Sequence, residues 1–170
     1  YEITNYMTLV SSLKMNESDS TTCNALYKCF SDIERIGDHA INIIQYSTDE
    51  DNKLSSSKYI EDELHQLASL LSKSFSLLST YSLDSQDECF EKIERIEDRI
   101  DELTASYRQA QIERLMEKKV NALDCVIYSE ILTDVERVSD HIMNIIQEAK
   151  RCNFTLSDEA IQSAPALSAA

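Results

Sequence analysis

The sequence is poor in the residues that turns and sheets need. Its 170 residues include one glycine, one proline and no tryptophan. Folds rich in β-strands use glycine and proline in their many turns, whereas long helices joined by short loops need few of either. Glycine-rich phosphate loops and Gly-x-Ser-x-Gly nucleophile turns are absent as well. The composition therefore predicts an all-α protein and argues against a classical nucleotide site or a serine hydrolase.

Long apolar runs and paired cysteine motifs are also missing. No window approaches the roughly 18 consecutive apolar residues of a membrane-spanning helix, and no signal-peptide pattern is present. Because the chain begins with Tyr1 in the middle of helical spacing, we expect it to be a segment of a longer protein. The cysteines are odd in number and form no Cys-x-x-Cys pair, which predicts reduced, mostly buried thiols rather than a zinc site. The five are Cys23, Cys29, Cys89, Cys125 and Cys152.

Positive charge is scarce. The chain has 16 Lys and Arg against 31 Asp and Glu, a formal net charge of −15 at pH 7. Such a chain repels phosphate backbones, so we expect no binding of nucleic acid. Residues 108–119 are locally basic. We interpret this segment as a solvated face that balances neighbouring acids, with contact to a partner protein or to phosphate as the alternative.

One segment is present twice. Residues 32–45 (DIERIGDHAINIIQ) and 134–147 (DVERVSDHIMNIIQ) are identical at nine of fourteen positions, with an offset of 102 residues. This period is too long for a solenoid and suits a unit of several long helices. Apolar residues recur at helical spacing in both copies, so each copy is predicted to be helical.

Carboxylate pairs one helical turn apart lie at the edge of the predicted apolar faces. In an isolated helix such like charges repel by about 0.2 to 0.5 kcal/mol, so something should offset the repulsion. Carboxylate oxygens select Mg, Ca, Mn or Fe ions, and each pair is half of such a site. The alternative is that the acids are exposed and paired with Arg35, Arg95, Arg99 and Arg137. The three pairs are Glu34/Asp38, Glu97/Asp101 and Glu136/Asp140.

Helical spacing and capping residues divide the chain into segments. Helices are predicted up to about residue 15 and over 21–48, 58–82, 85–118 and 122–151. Because the last two are joined by a short turn, they should pack antiparallel and bring Glu97/Asp101 to Glu136/Asp140. A short helix over 157–162 and a frayed end complete the prediction.

Individual residues predict how these helices begin and where they come close. Asp19 or Ser20, a Ser85/Glu88 capping box, and Asn121 are the expected helix starts. Gly37, in the middle of a helix, is interpreted as a close contact between helices.

The two segments E-R-I-G-D-H-A-I-N-I-I and E-R-V-S-D-H-I-M-N-I-I resemble the PhoU family of phosphate-uptake regulators. Residues 93–119, followed by the second segment, resemble the cytosolic PhoU-like domain of bacterial sodium/phosphate cotransporters. The resemblance implies an antiparallel bundle of two three-helix repeats, the first truncated. The expected parts are a partial first repeat (1–48), a linker (49–57), a complete second repeat (58–151) and a C-terminal tail (152–170).

The resemblance also implies a function. It predicts a non-catalytic, cytoplasmic regulatory domain of a sodium/phosphate cotransporter, held at the inner face of the plasma membrane through its parent protein. The expected partner is the membrane part of a phosphate transporter. Alternatives are a free-standing PhoU-type regulator that acts on a transporter ATPase or a sensor kinase, and a metal-free helical interaction module. A metal-dependent hydrolase is disfavoured.

Members of this family bind metal ions through paired E/D-x-x-x-D motifs. By this resemblance, the six carboxylates of Glu34, Asp38, Glu97, Asp101, Glu136 and Asp140 are expected to bind a divalent or iron ion. Because the first repeat is truncated, Glu34/Asp38 should lack partner carboxylates, which makes the second repeat the better metal site. The truncation should also leave apolar surface open, which favours a homodimer or docking to a partner.

Overall fold

The computed structural model describes residues 2–48, 54 and 57–153, which form five α-helices and one short 3₁₀ turn. No strand occurs among these residues, and the fold class is all-α, as predicted. None of the described helices is both long and apolar enough to cross a membrane. The helices are α1 Glu2–Ser11, α2 Glu17–Thr48, α3 Lys58–Ser79, α4 Gln86–Met116 and α5 Ala122–Cys152, with the 3₁₀ turn at Leu83–Ser85.

Asparagine side chains fix the start of α2 and of α5. The Asn121 side chain accepts a 2.8 Å hydrogen bond from the amide of Asp124, which confirms the predicted start of α5. The predicted start of α2 is wrong, because Asn16 accepts the amide of Asp19 at 2.8 Å and α2 begins at Glu17.

The predicted capping box of α4 is not formed. The Ser85 hydroxyl lies 3.0 Å from the Ser82 hydroxyl and caps no amide of the helix. The preceding 3₁₀ turn ends at Ser85, so this serine has turn geometry rather than the extended backbone typical of an N-cap. By contrast, Ser57 has extended backbone and its side chain accepts the amide of Ile60 at the start of α3.

The core lies where α3 and α4 cover one side of α5. Leu132 and Ile100 are fully buried in one apolar cluster, and Ile142, Ile146 and Ile93 are buried in the next one along α5. Burying each such side chain stabilises the fold by roughly 1.5 to 3 kcal/mol. The packing of α4 on α5 therefore holds the carboxylates of these two helices at a fixed spacing.

The opposite side of α5 packs against α2. Lys28 of α2 pairs with Glu148 of α5 at 2.7 Å, and His39 lies 2.7 Å from Asp134. Because the contact positions rise along α2 while they fall along α5, the two helices are antiparallel. The two copies of the duplicated segment thus face each other.

The outward side of α2 is much more exposed than the equivalent side of α5. Isoleucines of the first copy are 54%, 54% and 59% exposed, and their counterparts in the second copy are 6%, 8% and 0% exposed. Open apolar surface was expected on the first copy and is present among the described residues. The residues compared are Ile33, Ile41 and Ile44 with Val135, Met143 and Ile146.

The prediction that Gly37 marks a close helix contact is wrong. A Cβ atom placed on Gly37 meets no atom within 4 Å, and the residue is exposed. Its counterpart Ser139 is buried in α5. The glycine is therefore not required by packing against any described residue.

The cysteines agree with the expectation of reduced thiols. All five are free, and Cys23, Cys29 and Cys89 are buried. Burial raises the pKa of the Cys29 thiol to about 11, with a smaller contribution from Glu148 and Asp32. This thiol is therefore protonated and unreactive at neutral pH.

Two further predictions concern parts of the chain outside the described residues. The linker over 49–57 is described only at Leu54 and Ser57, and the short helix over 157–162 is not described. The division into a partial repeat, linker, complete repeat and tail stays a prediction.

Candidate functional site

Two reciprocal Asp–His pairs join the duplicated segments at the α2–α5 crossing. His39 Nδ1 lies 2.7 Å from Oδ1 of Asp134, and His141 Nδ1 lies 2.8 Å from Oδ1 of Asp32. In each pair, the histidine of one copy contacts the aspartate of the other copy. The two copies are therefore related by an approximate two-fold axis. Asp32 and Asp134 are 8% and 7% exposed, and charged groups so buried need partners.

The same exchange holds for the asparagines and the imidazole rings. Asn42 Nδ2 donates to Asp134 at 3.4 Å and Asn144 Nδ2 donates to Asp32 at 3.5 Å. The rings of His39 and His141 stack with centroids 5.6 Å apart. This polar centre fixes the register of the two helices. The polar centre was not predicted, although the identical Asp-x₆-His spacing in both copies was the available signal.

The carboxylates of the first copy remain at the surface. Glu34 and Asp38 are exposed on α2, and no side-chain hydrogen bond or ion pair joins either carboxylate to another described residue. Arg35, the partner suggested for them, is also exposed.

The carboxylates of the second copy meet those of α4. Asp101, Glu136 and Asp140 line one cavity of about 330 Å³, together with Thr133 and Arg137. The structure therefore brings together the α4 and α5 acids that the sequence predicted to meet. We call Glu97, Asp101, Glu136 and Asp140 the acidic cluster.

An arginine of α4 binds one carboxylate of the acidic cluster. Arg108 donates through Nη1 to Glu136 Oε1 and through Nη2 to Glu136 Oε2, both at 2.7 Å. The Thr104 hydroxyl also donates to Glu136 Oε1. Such a two-pronged pair is stronger and more directional than a single ion pair.

The ionisation of Glu136 and Arg108 reflects this pairing. Burial alone would raise the pKa of Glu136, but the hydrogen bonds from Arg108 and Thr104 outweigh burial and hold that pKa below its usual value. The hydrogen bond to Glu136 likewise raises the pKa of Arg108. Both groups are therefore charged at neutral pH.

Two other carboxyl groups of the acidic cluster have raised pKa values, which means that their charged forms are less stable here than in water. Burial raises the pKa of Glu97, and Asp101, Asp98 and Asp140 add to the shift. Burial and the charges of Glu136 and Asp140 raise the pKa of Asp101, which Arg108 only partly offsets. More negative charge is gathered here than one guanidinium balances.

The donor set has the right chemistry for a hard cation, but the arrangement does not fit one. Both oxygens of Glu136 accept hydrogen bonds from Arg108. Within residues 2–48, 54 and 57–153, no three His, Cys, Asp or Glu side chains are grouped so that they could hold a metal ion. The metal site stays a prediction, and the cation that the structure places on Glu136 is Arg108.

Arg108 and Thr104 were not predicted to belong to the site. The alternative that the acids pair with arginines holds in part, because Arg137 lies 3.4 Å from Asp140. The signal for Arg108 was available: Asp101, Thr104 and Arg108 follow at steps of three and four, which places them on one side of α4.

Arg95 and Arg99, two of the arginines suggested as partners, pair with acids outside the three carboxylate pairs. Arg95 binds Glu91 and Arg99 binds Glu102, both within α4. Residues 108–119 balance nearby acids, as interpreted from the sequence, but the arginines of this segment are half-buried and not solvated.

Arg114 is the clearest case of a half-buried arginine in residues 108–119. Its guanidinium donates to both oxygens of Glu63 on α3, and the Tyr128 hydroxyl donates to the same carboxylate at 2.6 Å. The basic segment thus ties α4 to α3 and α5.

The fold and the site define an all-α domain built on a duplicated helix, with polar clusters between its helices. The family model of the PhoU domain matches residues 62–149, just over half of the chain. The chain belongs to the PhoU domain family. The match includes the acidic cluster and the second copy of the duplicated segment.

Two relatives carry the same family name. The chain is 28% identical over 126 residues to the phosphate-specific transport system accessory protein PhoU homolog 1 of Thermotoga maritima, covering 72% of this chain and 53% of the relative. It is 24% identical over 125 residues to the corresponding PhoU homolog of Deinococcus radiodurans, covering 74% of this chain and 58% of the relative. The chain thus spans little more than half of each relative. No solved structure gives a significant match.

Proposed function

We propose that this domain regulates phosphate transport as a non-catalytic helical module. The observation that carries the proposal is the family match over residues 62–149. Two relatives named as accessory proteins of a phosphate-specific transport system support it. The polar clusters between the helices are engaged in ion pairs and hydrogen bonds that hold the bundle together, which suits a protein that acts through contact with a partner.

Within this proposal, the accessory-protein role has the better support. Both relatives are named for such a role, and it corresponds to a free-standing PhoU-type regulator. The second candidate is the cytoplasmic domain of a sodium/phosphate cotransporter, held at the inner face of the membrane by its parent protein. The resemblance of residues 93–119 to such domains favours it. In either case the proposed partner is a phosphate transporter.

The proposed role does not depend on a metal ion. Binding of a divalent or iron ion by the six carboxylates stays a prediction, and a metal-free interaction module remains compatible with the proposed role.

Uptake of radiolabelled phosphate tests the proposal. We expect cells that lack the parent protein to show altered uptake in phosphate-rich medium and unchanged uptake of sulfate. The sodium dependence of the affected uptake separates the two candidates: sodium-independent uptake supports the accessory role, and sodium-dependent uptake supports the cotransporter domain.

Two matched substitutions, each tested in cells that otherwise lack the parent protein, show whether normal phosphate uptake requires the folded domain. Ile142→Asp places a charge at a fully buried position and should not restore normal uptake. Ile112→Asp changes the same residue type at a position that is 47% exposed and should restore it. Unchanged phosphate uptake in cells that lack the parent protein would refute the proposed function.

A further inference from the structure

The acidic cluster already contains a positively charged group from the protein itself. We propose that Arg108 is the resident cation of this cluster, and that a divalent cation reaches Glu136 only when Arg108 is displaced. This inference concerns the chain alone and does not rest on the role in phosphate transport.

The hydrogen bonds of Glu136 give the first argument. Its Oε1 accepts from Arg108 and from Thr104, and its Oε2 accepts from Arg108. A carboxylate offers about four acceptor positions, so three are in use. A metal ion on the remaining position would lie next to the guanidinium charge. Arg108 and a metal ion therefore compete for Glu136.

Arg108 is held in place by a second contact. Its Nη2 donates to the Thr133 hydroxyl at 3.1 Å. That hydroxyl donates its own proton to the carbonyl of Ser129 at 3.0 Å, which leaves its oxygen free to accept from Arg108. The guanidinium is thus bound to two α5 side chains and is positioned before any ligand arrives.

The excess of negative charge gives the reason why displacement matters. Arg108 faces Glu136 and Asp101, and Asp140 lines the same cavity. Without Arg108, no guanidinium of α4 would offset the negative charge of these three carboxylates and of Glu97. Carboxylate groups at such density select hard cations. Removal of Arg108 should therefore turn a partly neutralised cluster into a cation site.

The first copy of the duplicated segment provides an internal contrast. Glu34 is the counterpart of Glu136, yet no arginine is bonded to it among the described residues. The role assigned to Arg108 therefore belongs to the second copy only. It arises from the packing of α4 on α5 and not from the duplicated segment itself.

Binding of Mn²⁺, measured by titration calorimetry on the whole chain, tests the inference. We expect Arg108→Gln to bind Mn²⁺ about tenfold or more tightly than the unchanged chain, because the two-pronged ion pair no longer competes for Glu136 and about 1.4 kcal/mol corresponds to a factor of ten. The matched control is Arg137→Gln. It also removes one positive charge from the cavity, but Arg137 is exposed and does not bond Glu136, so affinity should change by about threefold or less.

Further variants assign the effect to Glu136 and guard against misfolding. The double variant Arg108→Gln/Glu136→Gln should lose the gain. Circular dichroism verifies that each variant keeps its helices. Arg108→Lys keeps the charge but cannot bind both carboxylate oxygens at once, so it should show a smaller gain and serves if Arg108→Gln does not fold.

Three results would overturn the inference. The unchanged chain could bind Mn²⁺ as tightly as Arg108→Gln, and lose that binding on Glu136→Gln. A folded Arg108→Gln, or a folded Arg108→Lys in its place, could show no gain. The gain could also persist in the double variant, which would place the metal away from Glu136.

Discussion

His39 and His141 stack on each other across the α2–α5 interface, with ring centroids 5.6 Å apart. Each ring is paired with the aspartate that lies seven residues before the other histidine in the sequence. The approximate two-fold axis therefore passes close to these two rings. The duplication does more than repeat a helix, because each copy supplies the polar partners that the other copy needs.

Removal of either aspartate should destabilise the bundle, and the two costs should differ. Asp32→Ala leaves the buried His141 without its partner, at a cost of about 1 to 3 kcal/mol. Asp134→Ala should cost less, because the side chain of His39 is 23% exposed and water can reach it. Urea unfolding followed by circular dichroism measures both values.

Two controls make this comparison specific. Asp32→Asn retains an acceptor oxygen and should lose less stability than Asp32→Ala. Asp38→Ala removes an exposed carboxylate of the same helix and should change stability by less than about 0.5 kcal/mol. If Asp32→Ala and Asp38→Ala unfold at the same urea concentration, the Asp32–His141 pair does not stabilise the fold.

Substitution of the helical glycine should stabilise the protein. Gly37→Ala removes the conformational freedom of glycine from the unfolded chain, and the new methyl group meets no atom within 4 Å. The expected gain is about 0.5 to 1 kcal/mol in the free energy of unfolding, measured by thermal denaturation. Gly37→Val should gain less, because a β-branched side chain is restricted in a helix. A loss of stability in Gly37→Ala would mean that another surface covers this position.

The regular spacing of apolar residues was sufficient to predict the helices, because core burial imposes the helical period on the sequence. The meeting of Asp101 with Glu136 was also predictable, since the short turn between α4 and α5 forces the two helices together. The sequence did not predict which sides of α2 and α5 face each other, because a repeat shows that two segments are alike and not how they pack. Helix propensity likewise cannot distinguish an exposed Gly37 from one in a tight contact.

Arg108 shows a different limit. Charged residues on a helix are usually solvated, and the spacing of Arg108 from Asp101 and Thr104 shows a shared side of α4 but not a partner on α5. Its role depends on the distance between α4 and α5, which places both of its terminal nitrogens on Glu136. Pairings across helices of this kind follow from the packed structure and not from local spacing.

The ion pairs of Glu148 should make stability depend on pH. Lys28 of α2 and Arg151 both bind this carboxylate. Burial alone would raise its pKa, but the hydrogen bonds from Lys28 and Arg151 outweigh burial and lower the pKa below the usual 4.5. A group whose pKa is lower in the folded than in the unfolded chain stabilises the fold above its unfolded pKa. That contribution is lost as the pH falls through the folded pKa.

Glu148→Gln should therefore reduce stability by about 1 kcal/mol at pH 7, and the difference should vanish in acid, below the lowered pKa. Urea unfolding of the unchanged chain and of the variant at several pH values measures this difference. Glu113→Gln is the control, because Glu113 is exposed and, among the described residues, its carboxylate accepts a side-chain hydrogen bond only from the neutral Gln109. A Glu148→Gln difference of the same size at every pH would show that the side chain stabilises α2 on α5 through packing and not through its charge.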